Sequence, residues 1–182
     1  MKYMAGMVSM LILAQTVPPM STLPDFSTHR DVKVEIEIKA SADTVWRVLT
    51  NFSAYEVWNP YIFPASGEAV AGTQLDLTLR RGTVIHYMPT VLSARPDQQL
   101  SWGGKVPLAG VERVVTFTIQ PLDRRRVRLV AVEHFQGALL PLAQGAPGDA
   151  ASGLTEMVRA LRNRAELLDF AGPEHPVPIH LP

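Results

Sequence analysis

The sequence predicts an α+β domain: a curved antiparallel β-sheet, two short helices after its first strand, and one long C-terminal helix across its concave face. Three observations carry this. Between Asp31 and Phe135 apolar and polar residues repeatedly alternate, the period that puts successive side chains on opposite faces of a strand. Near the C-terminus one long stretch instead has helical period, with Leu154, Met157, Val158, Leu161, Ala165 and Leu168 on one face. The order of elements is strand, two short helices, five or six strands, long helix, which is that of an antiparallel sheet with its helices on one side. Such a sheet twists and curls, and its apolar face needs the long helix as a cover.

Bulk composition sets the bounds. With 182 residues and 47% hydrophobic content the chain can bury one sizeable core, so one domain is expected over 31–171, between a leader and linker (1–30) and a flexible tail (172–182). Lys+Arg 17 balances Asp+Glu 17 with no basic stripe, which argues against nucleic acid or an anionic membrane as partner. The absence of cysteine excludes disulfides, thiol nucleophiles and thiolate metal sites. His29, His86, His134, His175 and His180 are scattered away from ligand spacing, so no metal is expected, and no motif calls for a cofactor.

The N-terminus has two readings. Met1-Lys2-Tyr3 followed by the apolar run Met4–Ala14 resembles a short signal peptide, which would make the protein secreted or periplasmic. Otherwise it is a leader on a cytoplasmic protein, or the start lies too far upstream. The run is too short to span a bilayer, and no integral membrane association is expected. Val17-Pro18-Pro19 and Leu23-Pro24 make an extended linker.

Asp31–Lys39 is the first strand, with Val32, Val34, Ile36 and Ile38 on one face and Lys33, Glu35, Glu37 and Lys39 on the other. Ser41 is an N-cap, and Val45, Val48, Leu49 and Phe52 give helical spacing. A second short helix over Ser53–Val57 stops before Trp58-Asn59-Pro60, because a residue preceding proline is pushed out of the α region. Thr73–Arg80 is a strand with Leu75, Leu77 and Leu79 inward. Val84–Leu92 is another, made irregular by Pro89, which implies an edge position or a bulge. Gln98–Gly103 is short and carries Leu100 and Trp102. Val111–Gln120 and Arg125–Phe135 form a hairpin around Pro121-Leu122-Asp123-Arg124. Gln144–Ala151 connects to the long helix, which Ser152 caps and Gly172-Pro173 stops; its other side carries Glu156, Arg159, Asn163, Glu166 and Asp169.

Several residues are candidates for a site. Asn59-Pro60 is a turn that either presents Trp58, Tyr61 and Phe63 to a cavity or lets them close the core. Trp102 is a cavity wall or a sheet-packing residue. Counting by twos from Phe135 places Glu133 on one face with Ala131, Leu129 and Val127. If that face is concave, Glu133 is an inward carboxylate whose pKa burial raises. It is then an acid–base or orienting group, or the partner of Arg113 or another arginine, because buried charges are usually paired. His86, Tyr87 and His134 lie within strands and are expected to face solvent or bond a neighbour, with Tyr87 the second candidate for acid–base work. Arg124-Arg125-Arg126 reads as a solvated hairpin tip. Val106–Ala109 and Leu139–Leu142 are apolar without period; exposed apolar runs mark binding surfaces, so Leu108 and Leu140 are expected to gate a cavity or pack on each other.

Taken together, Val45-Trp46-Arg47-Val48-Leu49, Tyr55-Glu56-Val57-Trp58-Asn59-Pro60, Leu100-Ser101-Trp102, Phe117-Thr118-Ile119-Gln120-Pro121, Glu133-His134-Phe135-Gln136-Gly137 and Met157–Glu166 resemble the polyketide cyclase/dehydrase-like (SRPBCC) branch of the START/Bet v 1 superfamily. The resemblance covers roughly Val32–Phe170 and implies the helix-grip fold, a sheet gripping the C-terminal helix around an elongated apolar cavity. Relatives often carry a histidine where this chain has Val115, so that residue's role does not transfer. What the resemblance implies is a binding or carrier protein for a lipid, polyketide, quinone or sterol-like molecule. The alternatives are a cyclase, aromatase or dehydratase-like enzyme, or an interaction module that uses the apolar loops. The expected ligand-binding residues are Trp58, Tyr61, Phe63, Leu77, Leu79, Tyr87, Trp102, Leu108, Phe117, Glu133, Phe135, Leu140, Met157 and Leu161. Of these Met157 and Leu161 are assigned to the cavity wall of the long helix, and Leu154, Val158 and Leu168 to packing.

Overall fold

The computed structural model describes residues 28–81, 83–107, 111–138 and 146–171. The element order is β1 (His29–Ile38), α1 (Ala42–Thr50), a 3-10 turn (Phe52–Ala54), α2 (Tyr55–Trp58), β2 (Ile62–Ser66), β3 (Asp76–Arg81), β4 (Thr83–Tyr87), β5 (Thr90–Arg95), β6 (Gln99–Lys105), β7 (Glu112–Asp123), β8 (Arg126–Gln136) and α3 (Ala146–Ala171). This is a mixed α+β fold with a curved antiparallel sheet, two short helices after the first strand, and a long C-terminal helix. No described helix is long and apolar enough to cross a membrane.

Five strands run in the order β1-β8-β7-β6-β5 and three in the order β2-β3-β4. The two sets adjoin: Leu75 N–H donates to the Pro89 carbonyl at 2.9 Å, Val91 N–H to the Thr73 carbonyl at 2.8 Å, and Gln74 bridges Thr90. Pro89 therefore does more than roughen a strand. It divides the stretch expected as one strand into β4 and β5, each an edge of its own set, because proline has no N–H for the ladder but keeps a usable carbonyl. β2, which contains Pro64 and shows no alternation in sequence, forms the opposite edge of the smaller set.

The caps follow the local chemistry. Ser41 Oγ accepts the Thr44 N–H at 3.2 Å at the start of α1. Asn59 leaves the helical region at φ −91, ψ 114, and its Oδ1 accepts both Tyr61 N–H (2.9 Å) and Ile62 N–H (3.0 Å), which fixes the chain's entry into β2.

One expectation about α3 is corrected and a second is sharpened. The helix starts at Ala146, so Ser152 is interior and not its cap, and the last residues of the expected connection are helical. Pro147 falls in the first turn, where the missing N–H costs nothing, so the Pro/Gly-containing stretch can begin the helix. The second concerns the polar side. Glu166 Oε1 accepts the Lys39 N–H at 2.9 Å. Asp169 Oδ1 accepts the Ser41 N–H and the Thr44 hydroxyl, both at 3.1 Å, and its Oδ2 takes Arg125 at 3.0 Å. These carboxylates are thus a latch between α3, the β1–α1 turn and the β7–β8 hairpin. Burial pushes the Asp169 carboxyl up, but the donors from Ser41, Thr44 and Arg125 outweigh it and hold it below its ordinary value. Arg125, at the tip expected to be solvated, serves as one of those donors.

Candidate ligand site: a buried ion pair under the long helix

The interior face of the sheet follows from register. Along β8, Val127, Leu129, Ala131, Glu133 and Phe135 alternate inward and are all buried; along β7, Arg113, Val115, Phe117 and Ile119 do the same. Pairing sets Glu133 opposite Val115 and Phe135 opposite Arg113, so arginine and glutamate are diagonal neighbours on adjacent strands, within reach of long side chains. On the other side Trp102 of β6 lies opposite Val115. The face carrying Glu133 is the concave one.

Arg113 and Glu133 form an ion pair in which the Arg113 Nε also donates to Glu133 Oε1. Their side chains are 2% and 0% exposed, among 31 buried hydrophobic residues that form one core. The arginine is framed by aromatic rings, its guanidinium carbon 5.3 Å from the Tyr87 centroid and 5.9 Å from that of Tyr61. Tyr61 lies in turn against α3. A Cβ on Gly153 would fall 2.5 Å from its ring, so only glycine lets the helix come this close. Leu154, Met157, Val158, Leu161 and Ala165 complete the buried face of α3.

Several valences of this polar island are open. Among the described residues Arg113 Nη1, Glu133 Oε2 and Trp102 Nε1 find no hydrogen-bond partner, although all are buried. Such atoms cost about 1–3 kcal/mol each, which is why native interiors contain so few. Burial raises the Glu133 pKa, and Arg113 opposes this without cancelling it, because Oε2 receives no donor. For Arg113 burial acts to lower the pKa, but the Glu133 charge outweighs it, and the guanidinium stays charged. Tyr87 is different: its hydroxyl donates to the main-chain carbonyls of Arg113 (2.9 Å) and Gly104 (3.3 Å). Burial pushes its pKa up to about 12, so its proton is committed.

The expected site residues divide by position. Tyr61, Leu77, Leu79, Tyr87, Trp102, Phe117, Phe135, Met157 and Leu161 are buried in one core with Glu133 among them. Trp102 stacks between Phe117 (5.3 Å) and Phe52 (6.0 Å), so it packs the sheet and faces the interior at once. Two residues lie elsewhere. Trp58 is half-buried and lines an outer groove of about 400 Å³ between α1, α2 and α3, with Arg47 and Arg164. Phe63 is half-buried beneath Arg80, whose guanidinium carbon is 4.7 Å from its ring. Leu108 and Leu140 lie outside the described residues, as do the leader before residue 28 and the tail after residue 171; of the apolar loops, Val106 is described and buried. His86 sits on the outer face beside Thr78 and His134 beside Asp31, as solvent-facing strand residues do. Gly153 went unmarked in the sequence, where no period singles out a small residue against a ring. Arg113 could be found only as a charge in phase with Val115, Phe117 and Ile119.

A curved antiparallel sheet closed by a long C-terminal helix, with a polar pair in an apolar interior, defines the START-like helix-grip class. The chain belongs to the family described as polyketide cyclase / dehydrase and lipid transport, which matches residues 29–166. Solved structures share the fold. A START superfamily protein from Mycobacterium smegmatis is 22% identical, with 75% of this chain and 97% of that one covered at a TM-score of 0.60. The Zhui aromatase/cyclase from Streptomyces sp. R1128 is 19% identical over 76% and 94% of the two chains, TM-score 0.63. A norcoclaurine synthase from Thalictrum is also 19% identical, over 75% and 94%, TM-score 0.60. Comparison with curated protein sequences finds no match.

Proposed function

We propose that the protein binds a hydrophobic small molecule between the sheet and α3 and serves as its carrier, the ligand being a lipid, polyketide, quinone or sterol-like compound. The wall would be Tyr61, Trp102, Phe117, Phe135, Met157 and Leu161, with Arg113 and Glu133 as the orienting polar groups. The observation that carries this reading is the buried pair with its open valences. An interior meant only for packing gains nothing from unpartnered polar atoms at Arg113, Glu133 and Trp102, whereas pockets for apolar ligands are greasy cavities with a few convergent polar groups. Family membership agrees, since its description includes lipid transport. Acid–base chemistry on a bound chain would need a partner for Glu133, and Tyr87, the other candidate, has its proton on main-chain carbonyls. That favours binding over catalysis.

The test is native mass spectrometry of gently extracted protein, followed by titration of the emptied protein with the neutral apolar fluorophore N-phenyl-1-naphthylamine. The expected result is a co-purified small molecule and a saturable fluorescence rise at one probe per chain. Neither would be seen from a chain whose interior is plain core.

A further inference from the structure

The Arg113–Glu133 pair also bears on which apolar molecules are accepted, an inference that rests on the binding reading above. Two properties of the pair matter. Its charges cancel, so the polar island is neutral as a whole. Its open valences are of both kinds: a donor at Arg113 Nη1, and an acceptor at Glu133 Oε2. Trp102 Nε1 is a further open donor on the same face of the sheet.

We propose that the site selects uncharged ligands whose polar end both accepts and donates a hydrogen bond, the chemistry of a hydroxy-carbonyl or an amide, and discriminates against carboxylates. The carbonyl oxygen accepts from the Arg113 guanidinium while the hydroxyl or amide hydrogen goes to Glu133 Oε2. This fills both kinds of valence without adding charge. A carboxylate satisfies only the donors. It also brings a second negative charge beside Oε2, and leaves the interior with a net charge that only Arg113 opposes, in surroundings where an unpaired ion is strongly disfavoured. A purely apolar ligand leaves every valence open. The Tyr87 hydroxyl hydrogen already serves the carbonyls of Arg113 and Gly104, and its oxygen lies beside the Arg113 guanidinium, which still leaves Glu133 Oε2 without a donor. Selectivity therefore lies in Glu133: it cancels the arginine that would otherwise recruit anions.

The experiment uses an isosteric pair. 2-Naphthamide and 2-naphthoate have the same skeleton and differ in charge and in donor capacity; each is used at pH 7.5 to displace N-phenyl-1-naphthylamine from the full chain. With the wild-type protein the amide should displace the probe at a concentration lower by at least ~10-fold, a floor for the cost of an unpaired buried charge. With Glu133→Gln, where Arg113 is uncompensated, the order should invert and naphthoate should win. If that variant does not fold, Arg113→Met/Glu133→Leu replaces it, and with no pair left the two compounds should compete within about threefold of each other. Equal displacement by both compounds in the wild type, or a preference that survives removal of the pair, overturns the selectivity while the binding reading stands. Failure of the wild type to bind the fluorophore at all overturns the binding reading and this inference with it.

Discussion

Arg113 and Glu133 make a thermodynamic prediction that needs no ligand. Arg113→Met leaves Glu133 alone in an interior where its side chain is 0% exposed, and Glu133→Leu strands a guanidinium that is 2% exposed. Breaking a buried pair from one side costs about 3–5 kcal/mol, because the survivor must be desolvated without compensation. The double variant removes both charges and, with them, the unpartnered Arg113 Nη1 and Glu133 Oε2. Replacing a buried pair by hydrophobes of similar volume is neutral or stabilising by about 1–4 kcal/mol. The cycle should thus be strongly non-additive: two costly single changes, and a double variant at least as stable as the wild type. Urea unfolding measured by circular dichroism and by tryptophan fluorescence gives the three differences. Trp102, on the same buried face, supplies part of the fluorescence change. A single variant that loses less than about 1 kcal/mol would refute the reasoning, since it would mean that the survivor is hydrated and the interior is not dry.

The latch and the helix–ring contact give two more. Asp169→Ala should cost about 1–2 kcal/mol at neutral pH through the lost acceptor of the Ser41 N–H and Thr44 hydroxyl, with little from Arg125, whose side chain is 71% exposed. Because the folded-state pKa lies below 3.8, that contribution is fully present above the unfolded value and disappears as pH falls through the folded one; the gap between wild type and variant, measured by urea melts, should narrow below pH ~4 and stay constant above ~5. Gly153→Ala adds the better helix former by about 1 kcal/mol, yet its Cβ would lie 2.5 Å from the Tyr61 ring, so the variant should still be destabilised, by roughly 1–3 kcal/mol before that gain; a rise in melting temperature would show that Tyr61 does not pin the helix.

The fold was legible because its signals are local and periodic. Val32 to Ile38 alternates so regularly that the strand and its inward face follow, although the strand begins two residues earlier than Asp31, and the register against β8 then pairs those residues with Val127, Leu129, Ala131 and Glu133. The apolar stripe marks the long helix, but a cap at Ser152 puts its first residue at Gly153, seven residues after the observed Ala146. Gly and Pro in a first turn look like a linker when only the stripe is counted. At Pro89 the missing N–H was read correctly as an irregularity. That it ends one strand and begins another depends on where Leu75 and Thr73 lie in space, which no local pattern encodes.

The site was half-legible for a related reason. Strand phase is enough to put Glu133 on one face with Ala131, Leu129 and Val127, and the rule that buried charges are paired is enough to offer Arg113 as its partner. What phase leaves open is satisfaction. Both Glu133 and Tyr87 are acid–base candidates in the sequence, Glu133 first and Tyr87 second. Only the third dimension shows that the Tyr87 proton is spent on the Arg113 carbonyl while Glu133 keeps an oxygen without a donor. The same holds for Asp169 and Glu166. Helical phase counts them as outer-face residues, and the chain fold then brings the Lys39, Ser41 and Thr44 donors to them, 125 to 128 residues away in sequence. Periodicity tells which side a residue faces, whereas the proposed binding depends on which valence is left over. That quantity is set by long-range contacts, and in this chain it singles out the arginine and glutamate under the helix.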